Sequence, residues 1–159
     1  MEFEETFQLQ AAASSLWELL MDVHQVAACM DGAEDVAVVA EDHYTGALLV
    51  RMGPVKLRFK GDVRVTARDA ETLTGVLEAQ ARDARMGGGF KASLTMVLAE
   101  IEPAKTRLSI RLQTTFLGRI GELGRPLIKK KVSVMLADFA RKVGERVFVE
   151  VDSGAARVE

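Results

Sequence analysis

At Gly118 the chain changes its hydrophobic period, and that change constrains the fold more than any other feature. Upstream, apolar side chains recur at every second position in short runs, the mark of strands with one dry face. Downstream, Ile120, Leu123, Leu127, Ile128, Met135, Leu136, Phe139 and Val143 recur at about the helical spacing. A run of strands followed by one long helix excludes an alternating βαβ chain with a parallel sheet and predicts an α+β domain.

The upstream part opens with Phe3, Glu5, Phe7 and Leu9 set against Glu2, Glu4, Thr6 and Gln8, which reads as a strand. A short helix is expected next, capped at Ser14-Ser15 with Glu18 completing a capping box, and with Leu16, Leu19, Leu20 and Val23 on one face. A second short helix carrying Val26, Ala27 and Met30 is stopped by Asp31-Gly32. Six strands should then fill Ala33 to Phe116. They are separated by turns at Glu41-Asp42-His43, Gly53-Pro54, Asp69-Ala70-Glu71, Met86 to Gly89 and Glu102 to Lys105. The most regular of them places Val55, Leu57, Phe59, Val63 and Val65 on the dry face and Lys56, Arg58, Lys60, Asp62 and Arg64 on the wet face, with Gly61 permitting a bend. Pro126 is incompatible with a continuous helix interior, so the long helix either kinks there or starts there. Residues 1–150 are expected to form one domain, and 151–159 a flexible tail.

Composition narrows the function classes. The net charge is −2, and one Trp and one Tyr are present, which gives neither the field nor the stacking surface for nucleic acid. The acidic N-terminus and the shortness of the apolar runs predict neither a secretory signal nor a membrane span, hence a cytoplasmic location. Cys29 is the single cysteine, so no internal disulfide or thiolate metal site can form. His24 and Cys29 sit about 140° apart around a helix axis and do not make a local nucleophile and base pair. His43 beside Asp42 is expected to be a solvent-exposed turn residue rather than a metal ligand. Gly87-Gly88-Gly89 precedes a strand instead of opening a helix, so a hairpin is preferred to a phosphate loop. No catalytic constellation, metal or cofactor is expected.

Several segments are more specific: Ala28-Cys29-Met30-Asp31-Gly32-Ala33-Glu34, Gly53-Pro54-Val55-Lys56-Leu57-Arg58-Phe59-Lys60-Gly61, Gly88-Gly89-Phe90 and Gly118-Arg119-Ile120-Gly121-Glu122-Leu123-Gly124. Together with the order of elements, they resemble the CoxG family of carbon monoxide dehydrogenase accessory proteins, of the START-like helix-grip superfamily (SRPBCC), over roughly residues 2 to 145. The resemblance departs at Asp31, where the family commonly has proline. It implies a seven-stranded curved antiparallel sheet around a long C-terminal helix. It also implies a non-enzymatic accessory role beside a molybdenum hydroxylase such as carbon monoxide dehydrogenase, in membrane recruitment or maturation, with a quinone or lipid in the hollow. Some members carry a C-terminal membrane anchor, and none is expected in these 159 residues.

A bent sheet gripping one helix often leaves its interior unfilled, so the apolar stripes are expected to line a cavity. The candidate lining is Trp17, Leu20, Leu48, Val50, Phe59, Phe90, Leu94, Met96, Leu112, Phe116, Leu127, Met135 and Phe139, and the alternative is an ordinary packed core, which would leave a protein–protein adaptor. An enzyme of the same fold, a cyclase or hydrolase, would need polar groups inside the cavity, for which the candidates are Glu78, Gln80, Ser93, Thr95 and Thr114. Residues 118–150 hold eight basic and four acidic side chains. Arg125, Lys129, Lys130 and Lys131 are therefore candidates for a peripheral membrane or partner surface, against the plainer reading of a solvated helix face.

Overall fold

In the computed structural model, which describes the backbone of residues 1–158 and the side chains of residues 1–147, the elements follow the expected order. The expected tail over 151–159 lies outside the residues described in full. Strand β1 (Glu2–Leu9) leads into helices α1 (Ala13–Leu20) and α2 (Val23–Cys29). Strands β2 (Ala33–Ala40), β3 (His43–Met52), β4 (Val55–Asp69), β5 (Thr74–Asp83), β6 (Gly88–Glu102) and β7 (Lys105–Gly118) follow. A single 3-10 turn (Arg119–Leu123) then precedes helix α3 (Arg125–Val158). The seven strands form one antiparallel sheet in the order β1-β7-β6-β5-β4-β3-β2, so β2 to β7 is a meander and β1 closes onto β7. This is the α+β helix-grip architecture.

Local chemistry explains where the elements begin and end. Gly124 (φ 94°) breaks the chain between the 3-10 turn and α3, and Pro126 falls in the first turn of α3, where its missing N–H costs nothing. The capping box expected at Ser15 does not form. The cap position of α1 is Ala12, three residues earlier, and it makes no side-chain hydrogen bond. Packing decides this start, because Ala11 and Ala13 are buried and the buried Thr106 hydroxyl donates to the Ala11 carbonyl at 2.7 Å. In α2 the cap is Asp22, whose carboxylate accepts from the His24 amide at 3.0 Å.

Bends in the long strands come from close approach. A Cβ on Gly61 would stand 1.9 Å from the Gln80 carbonyl oxygen, so only glycine lets β4 cross β5 this tightly. Further along β4, the register with β5 slips between Val65 and Ala67, a bulge that reverses which face each later side chain occupies.

The core falls into two clusters. One joins Leu16 and Leu19 of α1 to Phe3, Leu98, Leu108 and Ile110 of the sheet and to Leu136, Ala140, Val143 and Val147 of α3. The other joins Val50, Met52, Leu57 and Phe59 to Ile120 and Ile128. Helix α3 rests on β1 and α1 at one side and on β3 and the 3-10 turn at the other, bridging the sheet.

Candidate functional site

Between the two clusters, under the bridge of α3, lies a cavity of about 430 Å³. Its floor is the inner face of β3 to β7, its roof is α3 through Val132, Met135, Leu136 and Phe139, and its side is α2 through Val23 and Val26, with Met30 just beyond the helix end. Of the expected lining residues, Leu20, Leu48, Val50, Phe59, Phe90, Leu94, Met96, Leu112, Phe116, Met135 and Phe139 border this space. Phe59 and Phe90 pack edge to face within the lining.

Two expected lining residues lie elsewhere. Trp17 packs on the flank of the first core cluster, because the inward stripe of α1 is taken by Ala13, Leu16, Leu19 and Leu20. Leu127 is 38% exposed, because Ile128, about 100° further around the helix, occupies the inward position.

The polar candidates do not converge inside. Glu78 and Ser93 line a separate groove on the outer face of the sheet with Arg64 and Lys91, while Gln80, exposed, and Asp62 border both that groove and the cavity. Thr95 shares the parity of Ser93 on β6 and also faces outward. Thr114 does face inward, yet its hydroxyl is committed to the Met1 carbonyl oxygen at 3.2 Å. No paired carboxylates or hydroxyls therefore meet in the hollow among the described residues.

One polar cluster at the cavity has no counterpart in the sequence reading. The bulge at Val65/Ala67 turns Arg68 to the inner face, opposite Gly75, and Arg68 lines the hollow with Tyr44. Its guanidinium donates to the Met21 carbonyl oxygen at 3.0 Å, to the Asp42 carboxylate at 2.9 and 3.0 Å, and to the Tyr44 hydroxyl at 3.3 Å. Alternation carried along β4 without a bulge would have sent Arg68 outward, so no sequence signal marks it.

The remaining chemical candidates sit apart. Cys29 is buried, and burial pushes its thiol above its ordinary pKa, opposite to an activated nucleophile. His24 is exposed. His43 is not a free turn residue: it starts β3 and lies half-buried at 3.0 Å from Asp62. No group of three or more His, Cys, Asp or Glu is arranged to hold a metal among the described residues. Arg125, Lys129 and Lys130 are exposed and Lys131 is half-buried, and none of them forms an ion pair among the described residues. Leu127 and Val134, 38% and 56% exposed, share a helix face with Lys130 and Lys131. No helix among the described residues is long and apolar enough to cross a membrane.

Among curated protein sequences no relative matches. Solved structures share the fold. A conserved protein from Geobacillus kaustophilus superposes with a TM-score of 0.85 at 18% identity, over 92% of this chain and 95% of that one. The Zhui aromatase/cyclase from a Streptomyces species gives 0.69 at 16% identity, over 95% of both chains. A START superfamily protein from Mycobacterium smegmatis gives 0.67 at 14% identity, over 92% and 96%. At these identities the likeness extends to the fold alone. The family model for CoxG of carbon monoxide dehydrogenase matches residues 6–148, and the chain belongs to the CoxG family.

Proposed function

We propose that the protein is a non-enzymatic carrier that holds an apolar small molecule, a quinone or an acyl lipid, between the sheet and α3. The observation that carries this reading is the cavity of about 430 Å³, walled mainly by aliphatic, aromatic and methionine side chains. That volume lies within the range of pockets that enclose small ligands. Natural cores close-pack, so an apolar space of this size left open is costly unless something fills it. The flexible thioethers of Met30, Met96 and Met135 in the wall suit a ligand of irregular shape.

Membership of the CoxG family supports service to a molybdenum hydroxylase of the carbon monoxide dehydrogenase type as the context. Arg125, Lys129, Lys130 and Lys131, which form no ion pair among the described residues, stand beside Leu127 and Val134. They support a peripheral contact with the anionic inner face of the membrane, where such a ligand would be collected or delivered.

Native mass spectrometry of gently purified protein, followed by organic extraction, tests the carrier reading. A co-purified quinone or lipid, or stoichiometric uptake of menaquinone or a fatty acid, is the expected result. Protein that is empty and takes up neither would overturn it.

A further inference from the structure

We infer that Tyr44, Arg68 and Asp42 form a head-group site at the margin of the cavity, specific for a neutral ligand carrying a carbonyl oxygen. The inference rests on the carrier reading and assigns which class of apolar molecule the cavity selects.

Three observations combine. First, the bulge between Val65 and Ala67 turns a cation, the only basic side chain in the lining among the described residues, toward a mainly apolar space, and bulges that re-aim a side chain recur beside functional sites. Second, Tyr44 and Arg68 are both part-exposed while lining the hollow, which places them where it meets solvent. An amphiphile with its tail in the depth would put its head there.

Third, the hydrogen-bond inventory leaves one donor in reserve. The five guanidinium protons of Arg68 are directed at the Asp42 carboxylate, at the Met21 carbonyl oxygen and sulfur, and at the Tyr44 hydroxyl oxygen. The Tyr44 hydroxyl therefore accepts from a cation, which strengthens it as a donor, while its own proton has no acceptor among the described residues. A carbonyl oxygen supplies that acceptor.

Charge decides between a carbonyl and a carboxylate. Asp42 already meets the charge of Arg68 at 2.9 Å, so the cluster offers a polarised donor with no net positive charge. A carboxylate head would bring a second anion to a cation that is already paired.

The test uses methyl decyl ketone, isotope-labelled at its carbonyl, and dodecanoate, titrated into the full chain by calorimetry, with the infrared band of the bound ketone as the second readout. Wild-type protein should prefer the ketone, and its carbonyl band should lie below the position seen in hexane. Tyr44→Phe, which keeps the ring, should return the band to the hexane position and weaken ketone binding roughly five-fold, the loss of one neutral hydrogen bond. Asp42→Asn should raise dodecanoate affinity several-fold by freeing the charge of Arg68. Asparagine suits the positive φ of 56° at that position, so the fold is kept. Ketone binding with the same band in wild type and Tyr44→Phe would overturn the assignment of Tyr44 while leaving the carrier reading intact. Unchanged dodecanoate affinity in Asp42→Asn would overturn the selection by charge. Failure of wild-type protein to bind either probe would overturn both the site and the carrier reading.

Discussion

Phe59 of β4 and Phe90 of β6 meet edge to face, with ring centroids 5.0 Å apart and planes at 77°. The strand between them is β5, which carries Ala81 opposite both Gly61 and Phe90, so small residues let the two rings reach across it. Such a pair contributes about 1 kcal/mol beyond its burial. A double-mutant cycle with Phe59→Leu and Phe90→Leu, read by urea unfolding, should return a coupling of that size. Strict additivity would show that each ring acts only through its own burial.

Asp83 is the staple of the β5–β6 turn. Its buried carboxylate accepts from the Met86 amide at 2.7 Å and from the Arg58 amide at 2.6 Å, and these bonds, that from Met86 foremost, hold its pKa below the ordinary carboxylate value. Asp83→Ala should cost about 3 kcal/mol by stranding two amides. Because the folded pKa is depressed, the unfolded chain takes up the proton first as acid is added. The contribution is therefore complete above the ordinary carboxylate range and is lost as pH falls below about 5 through the lowered folded value. Stability against pH should fall less steeply in the variant than in wild type over that interval, and equal slopes would assign the acid sensitivity to other groups.

Glu5 occupies the inner face of β1 opposite Ile110, and its Oε2 is buried with no hydrogen-bond partner among the described residues. Its neighbours on that face, Phe3 and Phe7, are apolar and buried or half-buried. Glu5→Leu should stabilise the fold by about 1 kcal/mol, measured by the shift in urea midpoint. A loss of stability would mean that the carboxylate serves a partner.

Vesicles test the cationic end of α3. Flotation with anionic liposomes should recover the wild-type protein at low salt and lose it as salt rises. Charge reversal by Lys129→Glu and Lys130→Glu should weaken binding by about 1 kcal/mol or more per site. Recovery that does not depend on salt would exclude an electrostatic contact.

The strands and the long helix are legible in the sequence because Phe3, Phe7 and Leu9, or Val55, Leu57 and Phe59, alternate without ambiguity. Phase fails where two apolar residues are adjacent. Val76 and Leu77 leave β5 open to either reading, and one of the two puts Glu78 and Gln80 inside although they face out. Leu127 and Ile128 pose the same problem on α3, where only packing shows that Ile128 turns inward. The Arg68 cluster lies beyond any periodicity argument, since a bulge is a property of two paired strands and leaves no mark on one of them.

The closure of β1 onto β7 has a consequence for how the chain reaches this state. Every other strand pair joins neighbours in sequence, whereas Met1 and Thr114, bonded at 2.7 Å, stand 113 positions apart. Loop-closure entropy makes such a pairing the slowest to form, so a nascent chain can zip its meander from β2 onward while the first strand waits for the seventh. Until then β7 is a bare edge, and misassociation between partly folded chains is expected to start there.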